Sequence, residues 1–171
     1  RMNFIVEDAL TRLSTLTNHS MAEFRDAIIE ELCKLTDSKI AYFYATDLNE
    51  EFLTLLGYST DVMAGCMIVD PDAVYRVDET GLWGDAIRER QPIITNDYVR
   101  STRPSKRGLP EGHVPVMNHM NLPVFGDGRI VALVGVGNKD GDYTEIDAQN
   151  VGDLMENIWI EFEQALWAAV F

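Results

Sequence analysis

The segment Arg129–Val136 constrains the fold more than any other stretch. Both of its alternating side-chain sets are apolar or glycine, with Ile130, Ala132, Val134 and Val136 on one side. Val131, Leu133, Gly135 and Gly137 form the other. A strand with no polar face has to be covered on both sides, so it sits centrally in a sheet with a layer above and a layer below. Asn121–Phe125 precedes it across Gly126-Asp127-Gly128, and an Asp-Gly pair between two such runs marks a tight hairpin turn.

The remaining periodicities supply the neighbours of that strand. Val6, Leu10, Leu13 and Thr17, then Phe24, Ile28, Leu32 and Leu35, recur at helical spacing on either side of a polar break. Ser20 with Glu23 reads as a capping box for the second helix. Lys39–Ala45 and Glu51–Tyr58 form a second hairpin around Asp47-Leu48-Asn49-Glu50. Residues 59–79 are ambiguous, and Cys66–Val69 reads either as a short strand or as part of a helix. Thr80 is expected to cap a helix through Trp83, Ala86 and Ile87 to Arg90, stopped by Pro92. Pro92–Asn96 is expected to form a short strand leading to Asp97 and Tyr98. Residues 100–115 form a long loop that carries Arg100, Arg103, Lys106 and Arg107, and loops of that length often bind or cover something.

The last element runs from a cap at Thr144, with Asp147 closing the capping box, to about Val170. At ~1.5 Å per residue it is about 40 Å long, more than one small sheet covers. A helix that outruns its domain is usually a coiled-coil arm or a connector, which implies a module of something larger. The expected fold is α+β. It has a central antiparallel sheet of five to six strands, the N- and C-terminal helices on one face, and shorter helices and loops on the other. Residues 1–19 read as an N-terminal linker helix, 20–165 as the domain, and 166–171 as the start of a connector helix.

Charge narrows the partners. With 28 acidic and 14 basic residues the net charge is −14. That field repels nucleic acid and anionic lipid, so neither nucleic-acid binding nor membrane contact is expected. The longest apolar run, Val131–Val136, is too short to span a bilayer, and no secretory leader is read, so a cytoplasmic setting is expected. Cys33 and Cys66 lack the spacing of a zinc or thioredoxin motif and read as reduced thiols.

Gly137-Asn138-Lys139-Asp140-Gly141-Asp142-Tyr143-Thr144-Glu145-Ile146-Asp147 resembles the Asn-Lys…Phe…Asp-Glu motif of GAF domains. Tyr143 stands in the phenylalanine position and Ala148 in that of the final acid. The stretch Gly81–Asn138 is similar to a subfamily found beside histidine kinase and diguanylate cyclase modules. Its matching features are Trp83 near a helix start, Pro92–Tyr98, the Gly108–His113 loop and the Leu122-Pro123-Val124 hairpin. The resemblance implies a ligand pocket roofed by the middle helix and loops, with terminal helices that transmit a signal. Around that pocket it places Cys66, Trp83, Asp97, Tyr98, His113, Pro115, His119 and Asn121. Aromatic walls with a few polar groups suit a small organic ligand, whose identity is unknown.

Each of these residues also has a plain structural reading. Trp83 is either a pocket wall or a core anchor, and Asp97 either a ligand contact or a turn cap. His113 and His119 are either a metal pair or ordinary loop or pocket-rim histidines. Asn138, Lys139, Tyr143 and Asp147 read as a structural clasp, with a Lys139–Asp147 bridge tying strand to helix and Tyr143 packed beneath. No nucleophile elbow, phosphate loop or zinc-protease motif is present, so no catalytic set and no cofactor is assigned. The expected function is therefore a non-enzymatic sensing module, dimeric through its terminal helices, in a larger protein with a histidine kinase or diguanylate cyclase output. The alternatives are a dimerisation scaffold, or a cofactor-binding or methionine sulfoxide reductase-like member. Reductase members carry redox cysteines in the long loop, and residues 100–115 contain none.

Overall fold

The structure, a computed structural model, describes residues 2–59, 74–108 and 115–170. In chain order these form α1 (Phe4–Ser14), α2 (Met21–Thr36), β1 (Ile40–Thr46), β2 (Phe52–Tyr58) and β3 (Val74–Arg76). Two single-turn 3₁₀ segments, Val77–Glu79 and Leu82–Gly84, lead into α3 (Asp85–Glu89). Then come β4 (Ile93–Thr95), β5 (His119–Gly126), β6 (Arg129–Gly137) and α4 (Glu145–Val170). Among the described residues the strands make one six-stranded sheet in the order β3-β2-β1-β6-β5-β4. Every neighbouring pair is antiparallel.

The doubly apolar strand is β6, and it lies between β1 and β5 with every residue from Ile130 to Gly137 buried. Its hairpin with β5 turns on Asp127 and Gly128, whose φ angles of 53° and 78° are both positive. That is the left-handed pair a two-residue hairpin needs to match the strand twist, and Asp-Gly supplies it.

Two apolar layers cover the sheet. On one face α1, α2 and α4 bury Val6, Leu13, Phe24, Ile28, Leu154 and Phe162 against Ala41, Phe43, Met120 and Val134. On the other, Val77, Ala86 and Ile87 cover Leu53, Ile93, Ile130 and Leu133. Residues 1–19, read from sequence as a linker helix, thus contribute Val6, Ala9 and Leu13 to the common core. The Arg12 guanidinium also donates to Glu31 at 2.7 and 3.0 Å, joining α1 to α2.

Local signals held where they were strong. Half of each expected capping box forms: Ser20 Oγ accepts from the Glu23 amide at 3.2 Å while the Glu23 carboxylate meets His19, and Asp147 Oδ2 accepts from the Thr144 amide at 3.0 Å. Thr80 does not cap a helix. Its hydroxyl turns back to the Val77 carbonyl at 2.7 Å, and α3 starts later, at Asp85. The strand β3 falls within the ambiguous stretch 59–79 and pairs with the outer edge of β2. Helix α4 has 26 residues, and Trp167 near its end is 57% exposed. No helix among the described residues is long and apolar enough to cross a membrane.

Candidate functional site

The α3-covered side of β6 carries Gly135 and Gly137, and register decides what surrounds them. Tyr42 and Ile40 of β1 lie across from these glycines on one side. Asn121 and His119 of β5 lie across from them on the other, with Ile93 and Thr95 of β4 beyond. A Cβ on Gly135 would sit 2.2 Å from Tyr42 Cζ and 2.5 Å from Asn121 Oδ1. The missing side chain is what lets the Tyr42 ring lie across the strand and reach Asn121.

The result is a directional relay. Tyr42 O–H donates to Asn121 Oδ1 at 2.5 Å, and Asn121 Nδ2 donates to His119 Nδ1 at 3.0 Å. Because Asn121 uses its carbonyl oxygen for Tyr42, only its amide faces His119. Nδ1 of His119 therefore accepts, and in the neutral ring the proton sits on Nε2. Asn121 is fully buried. Next to His119 in the β4–β5 ladder is Thr95, whose buried hydroxyl has no hydrogen-bond partner. Burial pushes the Tyr42 phenol up and so keeps it a donor.

Burial, with a smaller push from Arg103 and a counteracting pull from Asp85, lowers the His119 pKa from 6.5 to about 4. Between those values the unfolded chain holds a proton that the folded chain does not. Stability is therefore complete above about pH 6.5 and falls as pH drops toward 4, by up to about 3 kcal/mol. Urea midpoints at about pH 7.5 and about pH 4.5 should show this loss in the wild type, and His119→Gln should remove this part of the slope.

Aromatic rings wall the same face. Trp83 stacks on Tyr44 at 5.1 Å, Tyr75 meets both edge-on, and Tyr98 lies 5.4 Å from His119. The basic loop is strapped over this region through one buried carboxylate. Asp85 accepts from Arg88 at 2.5 Å, from Arg103 at 3.0 Å and from Ser105 at 2.6 Å. Lys106 donates to the Tyr98 carbonyl at 2.6 Å and lies over its ring. Arg107 reaches the Glu79 carbonyl at 2.9 Å. Arg103 and Arg107 thus fix the loop to α3 and its approach, Lys106 ties it to the Tyr98 segment, and Arg100 stays exposed beside Asp97.

Of the residues singled out from sequence, the fold joins Tyr98, His119 and Asn121 directly. It links Trp83 to them through Tyr44 and Tyr42. His119 is a buried strand residue rather than a loop histidine. Asp97 accepts from the Arg100 amide at 3.2 Å, which is the turn-cap geometry, and its side chain is largely exposed. Pro115 is exposed, and its carbonyl accepts from Asn138 at 2.8 Å. Cys66 and His113 lie outside the described residues. Sequence reasoning missed Tyr42, Thr95, Asp85 and Arg103. Tyr42 carried the one usable signal, an aromatic in β1 facing a strand with glycines at alternate positions.

The Asn138–Asp147 segment forms a separate clasp. Asn138 takes a left-handed conformation with φ of 57°, which asparagine tolerates. Two asparagines that flank β4 and β5, Asn96 and Asn118, stitch it down. Asn118 bonds the backbone of Lys139 and Gly141, and Asn96 bonds both backbone groups of Tyr143. Lys139 Nζ meets Asp147 Oδ2 at 2.7 Å and lies over the Tyr143 ring, while Tyr143 Oη meets Ser38 Oγ at 2.6 Å. With Asp147 only 9% exposed, the bridge is more shielded than a surface pair. Lys139→Met leaves that carboxylate its Thr144 amide but no cation and should cost about 1–2 kcal/mol, visible as a lower Tm with unchanged far-UV circular dichroism.

A GAF domain profile matches residues 18–163, and the chain belongs to that family. It is also 42% identical over 159 residues to the methyl sulfide methyltransferase-associated sensor of Methanosarcina acetivorans. That match covers 93% of this chain but only 16% of the relative, so the chain corresponds to a small part of a much longer protein. Solved structures confirm the fold. The GAF domain of a phosphoenolpyruvate-protein phosphotransferase from Coxiella burnetii superposes with a TM-score of 0.75 at 13% identity, covering 98% of each chain. Free methionine-R-sulfoxide reductase from Neisseria meningitidis, in complex with its substrate, superposes at 0.66 and 16% identity, covering 98% of this chain and 95% of that one.

Proposed function

We propose that this GAF domain is the small-molecule-sensing part of a larger signalling protein. The observation that carries the reading is the buried Tyr42–Asn121–His119 relay beside the unpartnered Thr95 hydroxyl. A scaffold gains nothing from a buried hydroxyl without a partner, such as that of Thr95, which costs stability until something bonds it. A binding site needs a few fixed polar groups within apolar and aromatic walls. The ligand would contact Asn121, His119 and Tyr98, be walled by Trp83, and be rimmed by Asp97 and Pro115. The family resemblance adds Cys66 and His113 to the same site. The relative named as a sensor supports the reading. The likeness to the reductase lies at fold level and carries no catalytic role.

Output would run through α4, with the ligand favouring one of two placements of that helix on the sheet by binding it more tightly. A cytoplasmic, non-enzymatic module fits this mechanism. It would be dimeric through its terminal helices and joined to a histidine kinase or diguanylate cyclase type of output.

Native mass spectrometry of untreated protein tests the reading. A co-purified small molecule is expected on the wild type and is expected to be lost from Asn121→Leu that still folds. A bare wild type that shows no thermal shift across a metabolite panel would replace the sensor with the scaffold.

A further inference from the structure

On the sheet face opposite the relay, a groove of about 550 Å³ runs between the first half of α4 and the β4–β5 edge. Ile94, Leu122 and Pro123 form its floor, and Glu145, Asp153 and Glu156 its rim. Every ionisable side chain lining it is acidic. Among the described residues none of the three rim carboxylates makes an ion pair, although Asp153 accepts from Gln149 at 2.9 Å. Burial and the neighbouring Asp153 raise the Glu156 carboxyl, as expected of two negative groups with no cation between them.

Gly152 gives the second argument. It lies in the interior of α4 and lines the groove, where glycine costs about 1 kcal/mol relative to alanine. A Cβ there would meet only Leu122 Cδ1, at an ordinary 3.7 Å. Packing does not require the glycine, but a side chain at that position would fill the groove. Phe125, 39% exposed, closes the outer end of the groove with the Arg90 guanidinium 5.5 Å over its ring.

We propose that this groove docks a basic amphipathic segment of a partner polypeptide. An apolar side chain would sit on Ile94, Leu122 and Pro123, and flanking lysines or arginines would pair with Glu145, Asp153 and Glu156. From Glu145 to Glu156 the helix rises roughly 16 Å, which matches about five residues of extended chain. A second copy of this chain is a poor occupant, because Arg103, Lys106 and Arg107 of its basic loop are already held by Asp85, Tyr98 and Glu79 of their own domain.

Fluorescence anisotropy with a short labelled peptide of alternating leucine and lysine tests the proposal, using a glutamate-for-lysine peptide as the contrast. The lysine peptide is expected to bind, more weakly at high salt, and the glutamate peptide is expected not to bind. Gly152→Leu, which fills the groove, and the double change Asp153→Asn with Glu156→Gln, which leaves its shape, should each weaken binding about tenfold or more. The double variant keeps the test decisive if Gly152→Leu does not fold. Equal binding of both peptides, or unchanged affinity in the double variant, overturns the proposal. A dimer of the protein alone that Gly152→Leu dissolves also overturns it, by giving the groove to a second copy.

Discussion

Gly135→Val is expected to lower the unfolding free energy by about 3 kcal/mol or more, although strand propensity alone favours valine over glycine. Position 135 lies in the middle of the central strand, where a β-branched residue is ordinarily at home. The close approach decides the sign. An added Cβ lies 2.2 Å from Tyr42 Cζ and 2.5 Å from both Tyr42 Cε2 and Asn121 Oδ1. The ring cannot simply swing aside, because its hydroxyl is bonded to Asn121 and its edge rests against Tyr44. Urea denaturation of the single variant measures the cost. The same change in a Tyr42→Ala background should cost clearly less than in the wild type, because the ring is gone and only the Asn121 amide has to shift. An unchanged midpoint in the single variant would show that the ring is not held across the strand, and the relay geometry would fall with it.

Phe162→Ala is expected to cost about 3–5 kcal/mol and to loosen α4 from the rest of the domain. The ring is 1% exposed and touches three others, with centroids 5.8 Å from Phe24, 5.2 Å from Phe43 and 5.6 Å from Trp159. These belong to α2, β1 and α4, so one side chain locks the long helix to both another helix and the sheet. Truncation leaves a cavity that rigid neighbours fill only in part. Guanidinium unfolding gives the cost, and the near-UV circular dichroism of Trp159 reports the loosening. Ile160→Ala, on the same helix but 63% exposed, should change stability by no more than about 0.5 kcal/mol. A similar loss in both variants would mean that α4 is held by its length rather than by this aromatic cluster.

Legibility in the sequence followed the range of the interaction. The two hairpins, both capped helices and the long final helix were readable because each is written in side chains a few residues apart. The strand β3 has three residues, too short for a period to show, whereas the five-residue α3 lies inside the helix expected up to Arg90. Thr80 looked like a cap, but its hydroxyl found the Val77 carbonyl first, so α3 began at Asp85. The clasp motif was legible as Lys139 with Asp147. The asparagines that hold it, Asn96 and Asn118, come from distant positions and carried no local mark. The same is true of Asp85, whose bonds to Arg103 and Ser105 span 18 and 20 residues.

By itself, the sequence determined that β6 is central, that helices close the chain on both sides of the sheet segment, and that the assembly is α+β. Alternation and helical period are local properties that survive any choice of neighbour. It did not determine which side of β6 carries the chemistry, because both sides are equally apolar when read along the strand. Tertiary structure decided that. Antiparallel register sets Tyr42 and Asn121 on either side of Gly135 and His119 beside Gly137. Burial then turns three ordinary polar residues into one neutral relay. The β5–β6 half of that register follows from the local Asp-Gly turn, but the β1–β6 half pairs segments about ninety residues apart, and no local pattern encodes it.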